Sequence, residues 1–458
     1  MVFAGKAKED FNVSDVTSSA MKSFISKCGN IYAGYPEWVK DEGDVKTVNF
    51  AKTICSEVAR LTTLAIGIKI EGSARAEWLQ KQIDNVYYQL RQWTEYASAY
   101  GTIVLKPNGV GIDAVMPNDF IVTEQSNGKV TGIVFLNQIQ TDVNTFYTRL
   151  EYHHMGNDGI YTITNKCFVG NSKNDISKPV GIEESPWKEL KEAVTLINLE
   201  APLYSILKMP GANNIELNSA LALPIFSEAI EELKDLDIAY SRNAIEIDES
   251  GRIVLIDSDR LLPNNEAGAT MQYNNEHSKK RMKLPRFLRS VDSLTSDSAA
   301  SMYQEINPNL NTEERIKGIN ALLSQIGFKC GFSNGYFVFD EKTGLVTATQ
   351  VEADQQRTIQ LIKDVRDQLQ TAIDGLIYAL SAFADLYYLA PVGKYEVTYD
   401  FGDITYNRDE DRLRWWQYVQ SGKMPAWLYF VKFEGLTEEE AKTLTTEAQP
   451  KETGLFED

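Results

Sequence analysis

Two short patterns in the sequence hold residue types that could do chemistry. The first, Asp400-Phe401-Gly402, has the letters of a kinase metal-binding motif, but no HRD-type catalytic loop and no Gly-rich phosphate loop precede it. The second is the pair His153 and His154 in a predicted strand, where successive side chains point to opposite faces of the sheet. Their rings cannot readily share one metal ion. We therefore expect neither a kinase nor a metal site, and no cofactor.

The cysteines are the next residues that could react or bind a metal ion. The four cysteines are Cys28, Cys55, Cys167 and Cys330. They are scattered, with no CxxC pair, so their spacing predicts neither a zinc knuckle nor a disulfide framework. A reducing compartment fits this pattern best. Neither Cys167 nor Cys330 has a local His or Asn pattern for nucleophilic catalysis. GxGxxG, Walker A and GxSxG motifs do not occur. The sequence predicts a protein that is not an enzyme.

A basic cluster is the strongest charge feature outside the predicted helices. It lies in a long polar insertion and consists of Lys279, Lys280, Arg281, Lys283, Arg286 and Arg289. One interpretation is a contact surface for phosphate, for a partner protein or for another subunit. The other is the solvated face of a protruding loop, and the sequence favours neither.

An acidic face marks the start of a predicted helix at 224–247. Glu228, Glu231 and Glu232, followed by Asp235, lie where carboxylates suit the helix dipole. The simplest interpretation is a solvated helix side. If many copies of the chain surrounded a channel, the same residues would form a wall that repels anions.

Length and composition bound the function classes. The chain has 458 residues, 43% hydrophobic and 24% charged, so it folds and is long enough for several cores. The net charge of −18 argues against a simple duplex-binding protein, whose affinity usually comes from basic side chains. The N-terminus lacks the apolar segment of a signal peptide, and no run reaches about 20 apolar residues, so we expect a soluble protein with no membrane partner.

One long helix, predicted over 347–388, is the element around which the others must be arranged. Thr347 is its expected cap, with Gln350 three residues on at capping-box spacing. Its apolar seam steps by four and three residues: Thr358, Ile362, Val365, Leu369, Ala372, Leu376, Leu380, Phe383 and Tyr387. A helix of this length spans roughly 60 Å. At Gly375 we expect a kink or a close helix approach, with a merely tolerated glycine as the alternative.

The remaining periodicities predict an α+β protein with three parts. The N-terminal part has a helix at 14–28, with Ser14 as its cap and Gly29 placed to end it, a second helix from about 49, and a third at 74–100 that is ended by Gly101. A meander of antiparallel strands follows, at 102–106, 112–116, 120–123, 130–137, 145–153 and 161–166. Helices at 224–247 and 311–327 then run in opposite directions and bracket the insertion, like a stalk with a tip. Further strands are predicted at 252–257, 336–340 and 395–400, and short aromatic helices at the C-terminus.

Several segments together resemble a known family. Leu345-Val-Thr-Ala-Thr-Gln-Val351 is similar to the Thr-Ala-Thr-Glu-Val signature of tailed-bacteriophage portal proteins of the SPP1-like class, with Gln350 in place of the usual Glu. The resemblance covers most of the chain from about residue 90. It continues through residues 150–154, 161–165, 210–215, 331–340, 419–424 and 435–441. Each segment is weak alone, and the combination is specific.

The resemblance implies a multi-layer portal fold with a long spine helix, an antiparallel strand meander, a two-helix stem and a small α/β clip. In that architecture the wing is 1–217, the first stem helix 218–247, the clip 248–308 and the second stem helix 309–333. A tunnel-loop region is 334–346, with Asp340, Glu341, Lys342 and Thr343 as candidate channel residues. The spine helix and a wing strand take 347–405, and the crown and tail take 406–458.

The resemblance also implies a function and partners. Portal subunits form a ring, typically of about twelve copies, at one capsid vertex of the virion, assembled in the host cytoplasm. Double-stranded DNA passes through the ring during packaging by the terminase and during ejection through the tail. The implied contacts are with the major capsid or scaffolding protein and with a head-tail adaptor. The alternative is another structural head-completion or connector protein of a phage virion.

Overall fold

The computed structural model describes most of the chain. The described residues are 2–41, 45–109, 111–156, 158–249, 253–257, 288–291, 303–306, 312–338, 348–402, 408–434 and 436–447. Within them the protein has an α+β fold of helices and mainly antiparallel sheets. The predicted fold class is therefore confirmed.

The N-terminal part of the chain is helical. Its helices are α1 (Val2–Phe11), α2 (Ser19–Tyr32), α3 (Glu37–Asp41), α4 (Phe50–Thr62), α5 (Ala74–Val86) and α6 (Leu90–Tyr100), with strand β1 (Ile66–Glu71) after α4. The predicted helix at 14–28 is displaced toward the C-terminus, because the N–H of Val16 donates to the carbonyl of Val122 and Ser18 caps the helix instead. Gly29 does not end α2. It lies inside the helix, where a Cβ atom would be 2.9 Å from the ring of Tyr100.

The helix predicted at 74–100 is interrupted. A 3-10 turn at Tyr87–Gln89 separates α5 from α6, although apolar residues on both sides of the turn are buried. Because the apolar seam continues across the turn, periodicity does not reveal the break. Gly101 ends α6 as predicted: its φ is +79°, and a Cβ atom there would lie 2.2 Å from the carbonyl oxygen of Ala222.

The strands form two sheets instead of one meander. They are β2 (Thr102–Pro107), β3 (Ile112–Val115), β4 (Phe120–Ser126), β5 (Lys129–Asp142), β6 (Thr145–Met155), β7 (Tyr161–Gly170), β8 (Lys178–Val180), β9 (Ala193–Leu196) and β10 (Ser205–Lys208). The strands from β4 to β8 form the antiparallel meander, with β9 beside β7. However, β2 and β3 pair with β10 in a separate sheet. The prediction missed this because β10 comes from a stretch that reads as loop and pairs with residues about 100 positions away.

Two hydrophobic cores cover the larger sheet. On one side Phe3 and Ala7 of α1 pack against Val134, Leu150 and Phe168. The other core joins α2 to both sheets and includes Met21, Ile25, Val104, Phe120, Phe135 and Tyr204.

An antiparallel helix pair follows. It consists of α7 (Ile230–Glu249) and α8 (Thr312–Lys329), which pack against each other. The predicted helix starts too early, at 224, because a 3-10 turn at Ser227–Ala229 precedes α7. Ion pairs fix the direction: Glu232 with Lys329 at one end and Glu246 with Arg315 at the other. Between the helices in sequence lie β11 (Ile253–Asp257), β12 (Leu288–Val291) and β13 (Tyr303–Ile306). β11 is central, parallel to β12 and antiparallel to β13.

The apolar side chains of α7 are buried in only the first half of the helix. Leu233 and Leu236 are buried, whereas Tyr240 and Ile247 are 47% and 54% exposed. The far half of the helix pair thus extends beyond the core that covers its beginning.

The long helix is present as α9 (Ala348–Leu386), 39 residues. Its seam is buried from Thr358 to Leu380, and it packs against α4, α5, β2 and β10. Thr347 lies outside the described residues, and Gln350 lies in the first turn of α9. At Gly375 a strand approaches closely in place of the expected helix: a Cβ atom would lie 2.6 Å from the Ser205 hydroxyl of β10.

The C-terminal part contains β14 (Glu396–Phe401), α10 (Arg408–Gln420), α11 (Ala426–Glu434) and α12 (Glu438–Glu447). The chain divides into two compact units, Met1–Thr63 with Lys69–Val397, and Leu64–Ile68 with Thr398–Asp458. β1 and β14 pair with each other, and each contains residues of both units. In the second unit, Trp415 packs on Phe433 and Trp416 on Tyr429, and Tyr429 and Phe433 are buried between the short helices, whereas Trp416 is 40% exposed.

Candidate functional site

The acidic start of α7 is the predicted site that the structure describes. Glu228 and Glu231 are exposed to solvent. Glu232 differs, because one of its oxygens lies 2.5 Å from Lys329 Nζ and the other is buried with no hydrogen-bond partner. The predicted group of three therefore divides into two free surface charges and one carboxylate that holds α7 to α8.

A buried cysteine lies behind this face. Burial, and then the negative charges of Glu228 and Glu232, raise the pKa of the Cys330 thiol above its usual value. A thiol with a raised pKa stays protonated at neutral pH, and a protonated thiol is a poor nucleophile. The arrangement of Cys330 thus supports a role in packing.

An aromatic cluster lies directly after α8. The ring centroid of Phe337 lies 4.7 Å from that of Phe332, 4.8 Å from that of Tyr336 and 5.2 Å from that of Phe50 in α4. The Tyr336 hydroxyl donates to Glu57, and burial together with this hydrogen bond raises the pKa of Tyr336 to about 12. The strand predicted at 336–340 is wrong for residues 336–338, because Tyr336 closes a turn by donating its N–H to the carbonyl of Ser333.

Polar contacts tie this turn to α9. The Thr358 hydroxyl accepts the N–H of Ser333 at 2.8 Å, and the Ser333 hydroxyl accepts the N–H of Thr358 at 3.2 Å. Arg357 donates to the carbonyl of Phe328 at 2.8 Å, and its guanidinium lies 3.7 Å from the centre of the Phe328 ring. Residues 328 and 333, which precede the predicted tunnel-loop region, are therefore joined to residues 357 and 358 of α9, which follow it.

Most of the other predicted site residues lie outside the described residues. They are Asp340, Glu341, Lys342, Thr343, Lys279, Lys280, Arg281, Lys283 and Arg286. Arg289 lies in β12, in register with Leu255 of β11. The structure thus brings together only the acidic group at the start of α7.

A buried polar cluster on the larger sheet was not predicted. Glu151 is 9% exposed and is contacted by four side chains: Lys106, Asn137, Arg149 and His153. Burial alone would raise the pKa of Glu151, but Lys106, His153 and Arg149 outweigh it and hold the pKa well below its usual value. Charged residues inside strands are the signal that could have revealed the cluster, since charged groups are seldom buried without partners.

His153 extends this cluster to Tyr161. Burial lowers the pKa of His153, although Glu151 opposes the shift, so the ring is neutral. Its Nε2 lies 3.0 Å from Glu151, which can only accept, and its Nδ1 lies 2.6 Å from the Tyr161 hydroxyl. Such a carboxylate–imidazole–phenol chain resembles a catalytic relay, but all three residues are buried and a substrate cannot reach them. These hydrogen bonds join β6, which contains Glu151 and His153, to β7, which contains Tyr161.

The predicted orientation of the histidine pair is confirmed. His153 is 3% exposed, whereas His154 is half-buried on the other face, with Nε2 3.1 Å from Glu124. Among the described residues, no group of three or more His, Cys, Asp or Glu side chains is arranged to hold a metal ion. A search of the described helices finds none that is long and apolar enough to cross a membrane.

Comparison with known proteins adds a weak structural similarity. The sequence matches no protein-family model and no curated protein. Among solved structures, the chain is similar to a chain described as the neck of an empty GTA particle computed with C6 symmetry, with 11% sequence identity and a TM-score of 0.44. The similarity covers 97% of this chain and 99% of that one. It is too weak to assign a family.

Proposed function

We propose that the protein is a portal subunit, which assembles into a ring at one vertex of a phage capsid and forms the conduit for DNA. The observation that carries the proposal is the order and direction of α7, α8 and α9. α7 and α8 form an antiparallel pair, the three-stranded sheet of β11, β12 and β13 lies between them in sequence, and the 39-residue helix α9 follows α8. This order supports an assignment of stem, clip and spine like the one that the sequence resemblance implies.

The contacts between α8 and α9 support the same proposal. Ser333 and Thr358 hold together the two ends of the segment that would carry the tunnel loop. A loop that contacts moving DNA needs such a fixed base, because force on the loop would otherwise be lost in displacement of the helices. The arrangement supports a structural role, with no enzymatic activity of its own.

The acidic start of α7 fits a conduit for DNA. In a ring, each copy would add the exposed carboxylates of Glu228 and Glu231 to the wall, where DNA phosphates would be repelled. Because binding to duplex DNA depends on basic side chains and counterion release, such a wall lets DNA slide without holding it. The proposed partners are double-stranded DNA, the terminase, the major capsid or scaffolding protein, and a head-tail adaptor.

The test of the proposal is the mass of the native assembly, measured together with negative-stain images of the same sample. We expect a closed ring of about a dozen copies with a central hole. A stable small oligomer without a hole would contradict the proposal and favour another connector of the virion. Capsids assembled with the protein test the location, since a portal occupies a single vertex.

A further inference from the structure

The C-terminal end of α9 has an unusual residue at its termination. The N–H of Leu389 donates to the carbonyl of Ala384 at 3.0 Å, the six-to-one hydrogen bond of a Schellman motif. The residue before it, Tyr388, has a φ of +54° in the left-handed region. Glycine usually takes this position because a side chain is disfavoured there. A tyrosine in this conformation therefore needs a reason other than the helix end itself.

A buried arginine holds the turn in place. Arg75 of α5 is 1% exposed and donates to the carbonyls of Ser381, Ala390 and Pro391 at 2.5, 2.9 and 2.9 Å. It also pairs with Asp385 at 2.5 Å. These contacts fix the backbone from the last turns of α9 to residue 391, so the turn is held rigidly at the surface.

What the turn presents to solvent is apolar and aromatic. Tyr388 is 93% exposed, Val392 89%, Tyr387 62% and Leu389 53%. Tyr387 stacks on Phe383, with ring centroids 5.9 Å apart, and both Phe383 and Leu389 line an adjoining groove. We call the turn at 386–393 and this groove the α9 surface. Its ordered aromatic groups resemble the centre of a protein–protein interface, where Tyr, Trp and Phe are enriched.

The α9 surface carries no charge. Apolar side chains line most of the groove: Trp78, Val86, Ile112, Leu380, Phe383 and Leu389. Its other lining residues are glutamine, asparagine, proline and glycine. Residues 386–393 of the turn are uncharged as well. DNA is therefore a poor ligand for this surface, since duplex binding depends on Lys and Arg.

We propose that the α9 surface is an interface between copies of this chain. The net charge of −18 means that two copies repel each other overall, and most strongly where acidic surfaces meet. Contact between copies costs least where no charge has to be brought together or desolvated, and the α9 surface meets that condition. The inference rests on the proposed function in one respect, which is that the chain assembles with itself.

Tyr388→Gly tests the inference without harming the fold. Glycine adopts a positive φ without penalty, so the variant should unfold at the same temperature as the wild type or higher. It lacks the most exposed ring of the surface, and we expect self-association to weaken by about tenfold, as for a central interface residue. Sedimentation velocity over a concentration series measures the association, and thermal unfolding measures the stability. Tyr35→Gly, which removes a ring that is 69% exposed elsewhere in the chain, is the matched control.

A second variant and a cross-link identify the partner. Val392→Asp places a negative charge on the surface and should weaken assembly at least as much as Tyr388→Gly. A photoreactive phenylalanine at position 388 should give a product with twice the mass of the chain. A cross-link only within the chain, or only to another virion protein, would overturn the inference.

The inference and the proposed function fail in different ways. Rings with a central hole that assemble equally well in both variants would remove the inference and leave the proposed function intact. A small oligomer without a hole that both variants dissociate would remove the proposed function and leave the inference. A wild-type chain that stays monomeric at every concentration would overturn the inference.

Discussion

Carboxylates behave in opposite ways in two regions of the first unit. Glu151 is buried among Lys106, Arg149 and His153, and its pKa is held well below the usual value. At the start of α7, Glu228 and Glu231 are exposed. One region uses negative charge to hold strands together, and the other leaves it on the surface.

The difference shows that the role of a glutamate depends on the charges packed around it. At Glu151 two buried cations are compensated by one anion, so loss of the anion leaves both without a counter-charge. At the start of α7 the exposed charges are surrounded by water, which screens them, and their loss changes little within the chain. Charge removal should therefore affect stability in the first region and interactions with other molecules in the second.

The largest effect is expected for Glu151→Gln. The substitution keeps the size of the side chain but leaves Lys106 and Arg149 buried without an anion, so the free energy of unfolding should fall by about 3–5 kcal/mol. Urea unfolding measures the change. The control is Glu192→Gln, because Glu192 is 65% exposed in its pair with Lys166, where water screens the charges, so its loss should cost far less than the loss of Glu151. Equal losses in the two variants would contradict the comparison.

The next effect is a dependence of stability on pH through His153. The pKa of His153 is lowered in the folded chain, so the unfolded chain takes up a proton first as the pH falls below about 6.5. The free energy of unfolding should then decrease by up to about 1.4 kcal/mol per pH unit until the pH reaches the folded pKa. Urea unfolding at a series of pH values from about 7.5 to about 5 measures how the free energy of unfolding changes with pH. His153→Gln should remove it, and an unchanged slope in that variant would refute the assignment.

A smaller effect is expected for Glu232→Gln. The ion pair with Lys329 joins α7 to α8, but Lys329 is 39% exposed, so solvent screens the pair. We expect a loss of about 0.5–1 kcal/mol in the free energy of unfolding. Glu231→Gln, one residue away and exposed, is the matched control and should change stability by less than about 0.5 kcal/mol. A larger loss of stability for Glu231→Gln than for Glu232→Gln would contradict the assignment of the helix contact to Glu232.

An effect on function, with a loss of stability similar to that of Glu232→Gln, is expected when the acidic start of α7 is neutralised. Glu228, Glu231 and Glu232 changed together to Gln should slow or stall the passage of DNA, because the wall would repel phosphates less. Packaging kinetics in capsids that contain the variant measure this. Glu232→Gln alone separates the contribution of the contact with Lys329. Packaging at the wild-type rate in the triple variant would count against the repulsive wall.

Sequence patterns predicted well the elements that depend on near neighbours. The seam of α9 is buried as expected up to Leu380, and Gly101 ends α6. Of the candidate site residues, Glu231 and Glu232 lie in the first turn of α7 as predicted, but Glu228 lies in the 3-10 turn before the helix, and the pairing of Glu232 with Lys329 was not foreseen. That pair joins residues 97 positions apart, and no local pattern contains such information.

The amino-acid order determines periodicity, caps and turns, because helices and strands are stabilised by residues a few positions apart. It therefore indicated an α+β chain with an antiparallel helix pair and a long helix. Folding in three dimensions decided the rest, including the separate sheet of β2, β3 and β10, the cluster around Glu151, and Arg75 at the end of α9. These features depend on contacts between residues far apart in the sequence, such as Arg75 with Asp385, 310 residues apart. The strength of such a contact depends on how deeply its groups are buried, and a local sequence pattern does not contain that information.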